Sequence, residues 1–203
     1  MNPKSRGRAG RAGRGRQPRQ ERRWVLVATE GKVTEPEYLQ LLQQVLPRRI
    51  GQVVIKPVGV GLDPVHVVKE AIKHRDHELD SGDPYDHCFC LVDVDRHANL
   101  NEVLVLARHE GIDVLVSNPK FEIWLHWHLA DSRPGTSKGL DHEIDKRKVL
   151  RGKNLTSQFP VASHDAACRR ALQADPGLAP CQVGPVPSTA LPVLIDYLLR
   201  RGS

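Results

Sequence analysis

Short apolar runs alternate along the chain with segments in which apolar residues recur every three or four positions. The runs predict strands that are buried on both faces, at 24–29, 52–58, 86–94 and 112–116. The amphipathic segments predict helices at about 34–46, 63–79, 99–110, 118–129, 141–151, 164–174 and from 188 onwards. Alternation of this kind is typical of an α/β domain with a mostly parallel sheet flanked by helices, and the later helices form a C-terminal extension.

Five of the predicted helices begin with capping signals. The predicted caps are Thr34 with Glu37, Asp63 with Pro64, Asn99 with Glu102, Asn118 with Pro119, and Ser188. Basic residues are also concentrated at 146–153. This run predicts a helix face that is either solvated or able to bind phosphate.

Charge is divided unevenly along the 203 residues, which carry a formal charge of +6. Residues 1–23 contain nine basic residues, one acid and almost no apolar residues, so we expect a disordered basic tail. The other 180 residues hold 21 basic and 23 acidic residues. The basicity therefore belongs to the tail. We expect the α/β domain over 24–130 and a loop-rich, helical extension over 131–203.

The apolar runs are far shorter than the roughly 20 residues that cross a bilayer. The run after Arg22-Arg23 is also too short for an export signal, so we expect a cytoplasmic protein with no membrane partner. Cys88 and Cys90 stand two apart in a predicted strand, so both thiols should face one side of the sheet as buried, reduced groups. The chain has no CxxC pair, which disfavours a structural zinc site.

Carboxylates stand at three predicted strand ends. Glu30 follows the first strand, Asp93 and Asp95 end the third, and Glu122 lies one turn beyond the fourth. Ligands of open α/β sheets bind beyond the C-terminal strand ends, and oxygen-only donors favour Mg²⁺ or Mn²⁺. Glu30 would face the aspartate pair if strands one and three are neighbours. The alternative is that these acids are solvated loop residues or helix caps.

The same residues resemble a known superfamily. Glu30-Gly31 and Asp93-Val94-Asp95, in a β/α unit, resemble the Toprim fold of topoisomerases, DnaG-type primases and OLD-family nucleases. Three stretches are similar to the RloB family, which is found with restriction and phage-defence loci: EGKVTEPEYL at 30–39, LVDVDRH at 91–97 and SNPKFEIWLHWHL at 117–129. The closing PSTALPVLIDYL at 187–198 fits the C-terminal pattern of that family.

The Toprim resemblance implies metal-dependent phosphoryl transfer, with Glu30 as general base or acid and with Asp93 and Asp95 as Mg²⁺ ligands. The RloB block adds Glu122, which would ligate a second cation or orient water. No tyrosine nucleophile is evident, so nuclease chemistry fits better than strand passage. The expected function is Mg²⁺- or Mn²⁺-dependent cleavage of nucleic acid in phage defence. The alternative is a catalytically inactive nucleic-acid-binding subunit beside a partner protein of a defence system.

Polar residues near the carboxylates are candidate phosphate contacts. They are Lys32, Arg96, His97, Ser117 and Asn118, with Lys120 as a weaker candidate. The start of the fourth helix, at Ser117 and Asn118, would face the carboxylate edge and receive a phosphate with its free N–H groups, although capping alone explains Asn118. Arg96 and His97 are equally consistent with an exposed loop. The turn at 59–61 resembles a phosphate cradle, but a tight strand-to-helix connection explains it.

Overall fold

The computed structural model describes residues 23–46, 53–94 and 100–199. The strands are β1 (Arg23–Thr29), β2 (Val53–Gly59), β3 (His87–Asp93), β4 (Asp113–Asn118), β5 (Leu150–Arg151), β6 (Asn154–Leu155) and β7 (Ser188–Thr189). The helices are α1 (Thr34–Val45), α2 (Pro64–Ser81), α3 (Leu100–His109), α4 (Glu122–Trp127), α5 (Ser137–Lys146), α6 (His164–Ala174) and α7 (Leu191–Leu199). The predicted tail lies outside these ranges, apart from Arg23 in β1. None of the helices in the ranges given is long and apolar enough to span a membrane.

Five strands form one sheet in the order β2-β1-β3-β4-β7. The first four are parallel and β7 is antiparallel to β4, so the predicted α/β class is confirmed. β1 and β3 are neighbours, with Thr29 opposite Leu91, and Asp93 of β3 lies opposite Ser117 of β4. The carboxyl ends of β1, β3 and β4 therefore meet at one edge of the sheet.

Apolar residues pack on both faces of the sheet. Alternate residues of β1 enter opposite clusters: Val25 and Val27 join α1 and the later helices, whereas Leu26 and Ala28 join α2 and α3. Cys88 and Cys90 share the second cluster as free, buried thiols, as the sequence predicts. Burial raises the pKa of Cys88 to about 11. These thiols are core residues and poor nucleophiles.

The capping box predicted at the start of α1 is wrong. Val33 precedes the helix, and no side chain caps it. The hydroxyl of Thr34 instead donates to the carbonyl oxygen of Lys153 at 2.7 Å, and the carboxylate of Glu37 accepts from the backbone N–H of Leu155 at 2.7 Å. Both side chains are bonded to the β5–β6 hairpin, because that distant segment packs on the first turn of α1.

The cap predicted at Asn118 is also wrong. α4 begins only at Glu122, after a cis Asn118-Pro119 peptide, and Phe121 occupies the N-cap position without a side-chain bond. The amide of Asn118 donates to the carbonyl oxygen of Gly184 at 2.9 Å, so it satisfies a distant loop. By contrast, the predicted cap at Asp63 is confirmed, since its carboxylate accepts from the N–H of His66 at 3.2 Å. Asn99 lies outside the residues that the structure describes.

The C-terminal segment departs from the predicted helices at two points. α5 ends at Lys146, and the basic run at 146–153 continues into the β5–β6 hairpin, where Gly152 has a φ of +65°. The helix expected from 188 begins at Leu191, because Ser188 and Thr189 pair with β4 as a short strand. The helix predicted at 164–174 is confirmed as α6.

Candidate active site

A cleft of about 490 Å³ opens at the carboxyl edge of the sheet. Its walls come from the β1–α1 connection, the β2–α2 connection, the end of β3, the start of α4 and the β5–β6 hairpin. The lining residues are 30–35, Gly61, Leu62, Asp93, Glu122, Leu150, Gly152 and Lys153. Three of the four carboxylates that the sequence singled out, Glu30, Asp93 and Glu122, therefore share this cleft.

Glu30 and Asp93 are joined across neighbouring strands. The carboxylate of Glu30 accepts a hydrogen bond from the backbone N–H of Asp93 at 3.2 Å, and the N–H of Glu30 donates to the carbonyl oxygen of Leu91 at 3.2 Å. This arrangement follows from the adjacency of β1 and β3. The expectation that Glu30 faces the end of the third strand is confirmed.

Asp93 ties the end of β3 to the start of α4. Its Oδ1 accepts from the backbone N–H of Phe121 at 2.8 Å, which brings the following residue, Glu122, to the same cleft. Burial raises the pKa of Asp93 well above its ordinary value, and the charges of Glu122, Glu35 and Glu30 raise it further. The hydrogen bond from the N–H of Phe121 lowers this pKa, but its effect is smaller. Four carboxyl groups therefore lie close enough to repel one another.

Glu35 is the member of this group that sequence reasoning missed. It lies in the first turn of α1, is only 7% exposed, and accepts the backbone N–H of Gly31 at 2.9 Å. Burial raises its pKa, with smaller contributions from Glu122 and Glu30. The only signal in the sequence was the second Glu of the EGKVTE stretch. An acid in a first helical turn is ordinarily explained by the helix dipole, so its burial could not be anticipated.

Two glycines make room for side chains of the cleft. A Cβ on Gly31 would lie 2.0 Å from Oε2 of Glu35, and one on Gly61, whose φ is +70°, would lie 2.1 Å from Cε of Lys32. The N–H groups of Val60 and Gly61 donate to the carbonyl oxygens of residues 29 and 30 at 2.9 and 2.8 Å. The turn at 59–61 therefore holds the β1–α1 connection, which supports the tight-connection reading over a phosphate cradle.

The predicted phosphate contacts are divided between the cleft, positions elsewhere in the fold and residues outside the described ranges. Ser117 is 1% exposed and its hydroxyl shares a 2.9 Å bond with that of Thr189. Neither Ser117 nor Asn118 lines the cleft. Lys32 lines it, and Lys120 pairs with Asp141 at 2.5 Å. The predicted site residues Asp95, Arg96 and His97 lie in the gap at 95–99, so their roles stay predictions.

The four carboxylates of the cleft offer oxygen donors, which is the donor chemistry that Mg²⁺ and Mn²⁺ prefer. In the described parts of the chain, no three His, Cys, Asp or Glu side chains form a ready group for a metal. Mg²⁺ commonly binds through one or two carboxylates and completes its coordination with waters and substrate phosphate oxygens. Among the described residues, Asp93 with Glu122 is the pair that fits this mode of binding.

In open α/β sheets ligands bind beyond the carboxyl ends of the strands, and the carboxylates of this protein gather at that edge. The family model for RloB-like proteins matches residues 25–198, so the chain belongs to the RloB-like family. The match includes both the sheet and the C-terminal helices, and it confirms the family resemblance carried by the three sequence stretches. Comparisons with curated proteins and with solved structures gave no match.

Proposed function

We propose that the protein is a Toprim-type nuclease that uses Mg²⁺ or Mn²⁺ to hydrolyse phosphodiester bonds of nucleic acid in antiphage defence. The observation that carries the proposal is the convergence of Glu30, Glu35, Asp93 and Glu122 in one cleft. Carboxylates packed this closely are unfavourable unless a proton or a cation neutralises them. A divalent cation would supply that neutralisation at neutral pH.

In this proposal Asp93, Glu122 and Glu30 have separate roles. Asp93 holds the cation together with Asp95, and Glu122 ligates a second cation or orients water. Glu30 takes a proton from the attacking water, and the oxygen of that water bonds to phosphorus while the bond to the leaving oxygen breaks. The leaving oxygen takes up a proton from solvent water. When bound, the cation lowers the pKa of water and stabilises charge on the phosphate.

The test is cleavage by purified protein of single- and double-stranded DNA and RNA with Mg²⁺ or Mn²⁺. We expect Glu30→Gln and Asp93→Asn to reduce cleavage at least about 100-fold, as expected when a metal ligand or a general base is lost. Asp80→Asn, on the exposed face of α2, is the control and should cut as the wild type does. Normal cleavage by the Glu30 and Asp93 variants would contradict the site.

A non-catalytic nucleic-acid-binding subunit, acting beside a partner protein of a defence system, is the second candidate. It is favoured by the lack of a ready three-residue metal group in the described parts of the chain. Calorimetric titration with Mg²⁺ and Mn²⁺ distinguishes the two functions. Binding of nucleic acid without binding of either cation would favour the subunit.

A further inference from the structure

The β5–β6 hairpin is fixed to the same helical turn that carries Glu35. The hydroxyl of Thr34 holds the carbonyl oxygen of Lys153, and the carboxylate of Glu37 holds the N–H of Leu155, each at 2.7 Å. Leu155 is buried, whereas the side chain of Lys153 is exposed at the cleft. The backbone of the hairpin turn is thus anchored, and the exposed Lys153 stands among the residues that line the cleft. We call Lys32 and Lys153 the rim of the cleft and its four carboxylates the floor.

Two lysines line a cleft that also holds four carboxylates. Lys73, Lys120 and Lys146 each form an ion pair with an acid. Lys32 and Lys153 pair with none of the acids in the described ranges, although acids lie in the same cleft. The charges of these two lysines are therefore not taken up by ion pairs within the described ranges. This arrangement suits a ligand that brings phosphate to the rim and a cation to the floor.

The hairpin also extends the positive charge away from the carboxylates. Arg151 stands in β5 and is exposed, and Lys148 precedes the strand with a φ of +52°. These residues lead from the rim of the cleft toward the end of α5. A chain of several nucleotides presents a phosphate at each step, so it can place one phosphate at the floor and the next along this side.

Resting on the proposed function, we propose that the β5–β6 hairpin binds the strand beside the scissile bond, with Lys153 contacting a non-scissile phosphate. The substrate class that this geometry selects is an oligonucleotide or polynucleotide. A ligand with a single phosphate would occupy the floor and leave the hairpin without a contact.

The experiment compares Lys153→Ala, Lys153→Arg and the wild type in binding a labelled single-stranded oligonucleotide at several salt concentrations. We expect Lys153→Ala to weaken binding about five- to ten-fold and to reduce the salt slope by about one. Lys153→Arg should restore most of the affinity. Lys69→Ala, an exposed lysine on α2 outside the cleft, is the control and should bind as the wild type does.

A second measurement uses a dinucleoside monophosphate, which has no phosphate besides the scissile one. The loss of kcat/KM in Lys153→Ala should be at least about five-fold larger for the oligonucleotide than for this short substrate, since one phosphate contact is at stake. Equal losses on both substrates, or unchanged oligonucleotide affinity and salt slope, would overturn the proposal. Failure of the nuclease assignment would give a different result. The wild type would then cut no substrate, but the binding measurements would still show whether Lys153 contacts the oligonucleotide. A wild type that does not bind the oligonucleotide overturns the proposal as well.

Discussion

The backbone of Gly31 and the carboxylate of Glu35 occupy adjoining space that a side chain at residue 31 would fill. The N–H of Gly31 donates to Oε1 of Glu35 at 2.9 Å, and a Cβ at residue 31 would lie 2.0 Å from Oε2. The connection after β1 and the first turn of α1 are thereby held together. The position of the buried acid depends on a residue that has no side chain.

Gly31→Ala should destabilise the protein by about 1–3 kcal/mol, because Glu35 must move and the bond to the N–H is lost. Urea unfolding measures the effect. Gly135→Ala is the matched control, since a Cβ there meets no atom within 4 Å. In the Glu35→Ala background the same substitution should be far less damaging. An equal loss in both backgrounds would show that the contact with Glu35 is not the cause.

Asp93→Asn should leave the protein without divalent cations equally stable or more stable, because an amide cannot carry a negative charge into this buried group of mutually repelling carboxylates. The amide oxygen can still accept from the N–H of Phe121. With Mg²⁺ at about ten times its Kd, the wild type should gain about 1.4 kcal/mol, and the variant should gain less. Thermal unfolding with EDTA and with Mg²⁺ measures both effects. An equal gain in both proteins would remove Asp93 from the cation site.

His128 should make the stability fall in mild acid. Its Nδ1 lies 3.1 Å from the carbonyl oxygen of Pro160, which only accepts, so Nδ1 carries the proton and the hydroxyl of Tyr38 donates to Nε2 at 3.3 Å. Burial lowers the pKa of His128 to about 4. The unfolded chain takes up this proton near pH 6.5 and the folded protein only near pH 4. The contribution of neutral His128 to the free energy of unfolding is therefore fully present above pH 6.5, and it decreases by about 3 kcal/mol as the pH falls to 4.

Urea unfolding of wild type and His128→Gln between pH 7.5 and pH 4 tests this dependence. The variant should be less stable at neutral pH, since it loses buried contacts, but its decline with falling pH should be shallower. His109, whose side chain is 85% exposed, is the control, and His109→Gln should keep the wild-type slope. The same slope in His128→Gln would assign the acid sensitivity to other groups.

Asn118→Asp distinguishes a helix cap from the bond that the structure shows. A cap tolerates aspartate, whereas a carboxylate at residue 118 would turn an acceptor toward the carbonyl oxygen of Gly184. We expect a loss of about 2 kcal/mol or more, as for a buried acceptor left without a donor. Asp63→Asn, at the true cap of α2, should change stability by less than about 0.5 kcal/mol. Similar effects at the two positions would contradict the assignment.

Deletion of residues 1–22 should weaken nucleic-acid binding and make it less dependent on salt, because eight of the basic residues are removed with one acid. The thermal stability and the cation affinity of the remainder should be retained. Filter binding or fluorescence anisotropy across a salt series measures the change. Unchanged affinity at low salt would exclude a role for these residues in binding.

Local pattern was sufficient for the four parallel strands and for the positions of Glu30 and Asp93 at their ends, because continuous apolar runs mark buried parallel strands and these acids stand where the runs end. Other features depend on contacts between distant residues. The bond between Thr34 and Lys153 joins positions 119 residues apart, and the bond from Asn118 to Gly184 spans 66. Two-residue strands such as β7 also have no periodicity to detect. The hairpin wall and the burial of Glu35 could therefore not be predicted.

The apolar cluster that contains Val25 and Val27 of β1 also contains residues of α7 as far as Leu198. The guanidinium of Arg23 donates to the carbonyl oxygen of Leu198 at 3.4 Å, which joins positions 175 residues apart. During synthesis, the cluster that β1 shares with α1 therefore receives its remaining cover only when α7 has left the ribosome. The nascent chain should expose part of this apolar cluster for most of its translation, and its folding should be slow.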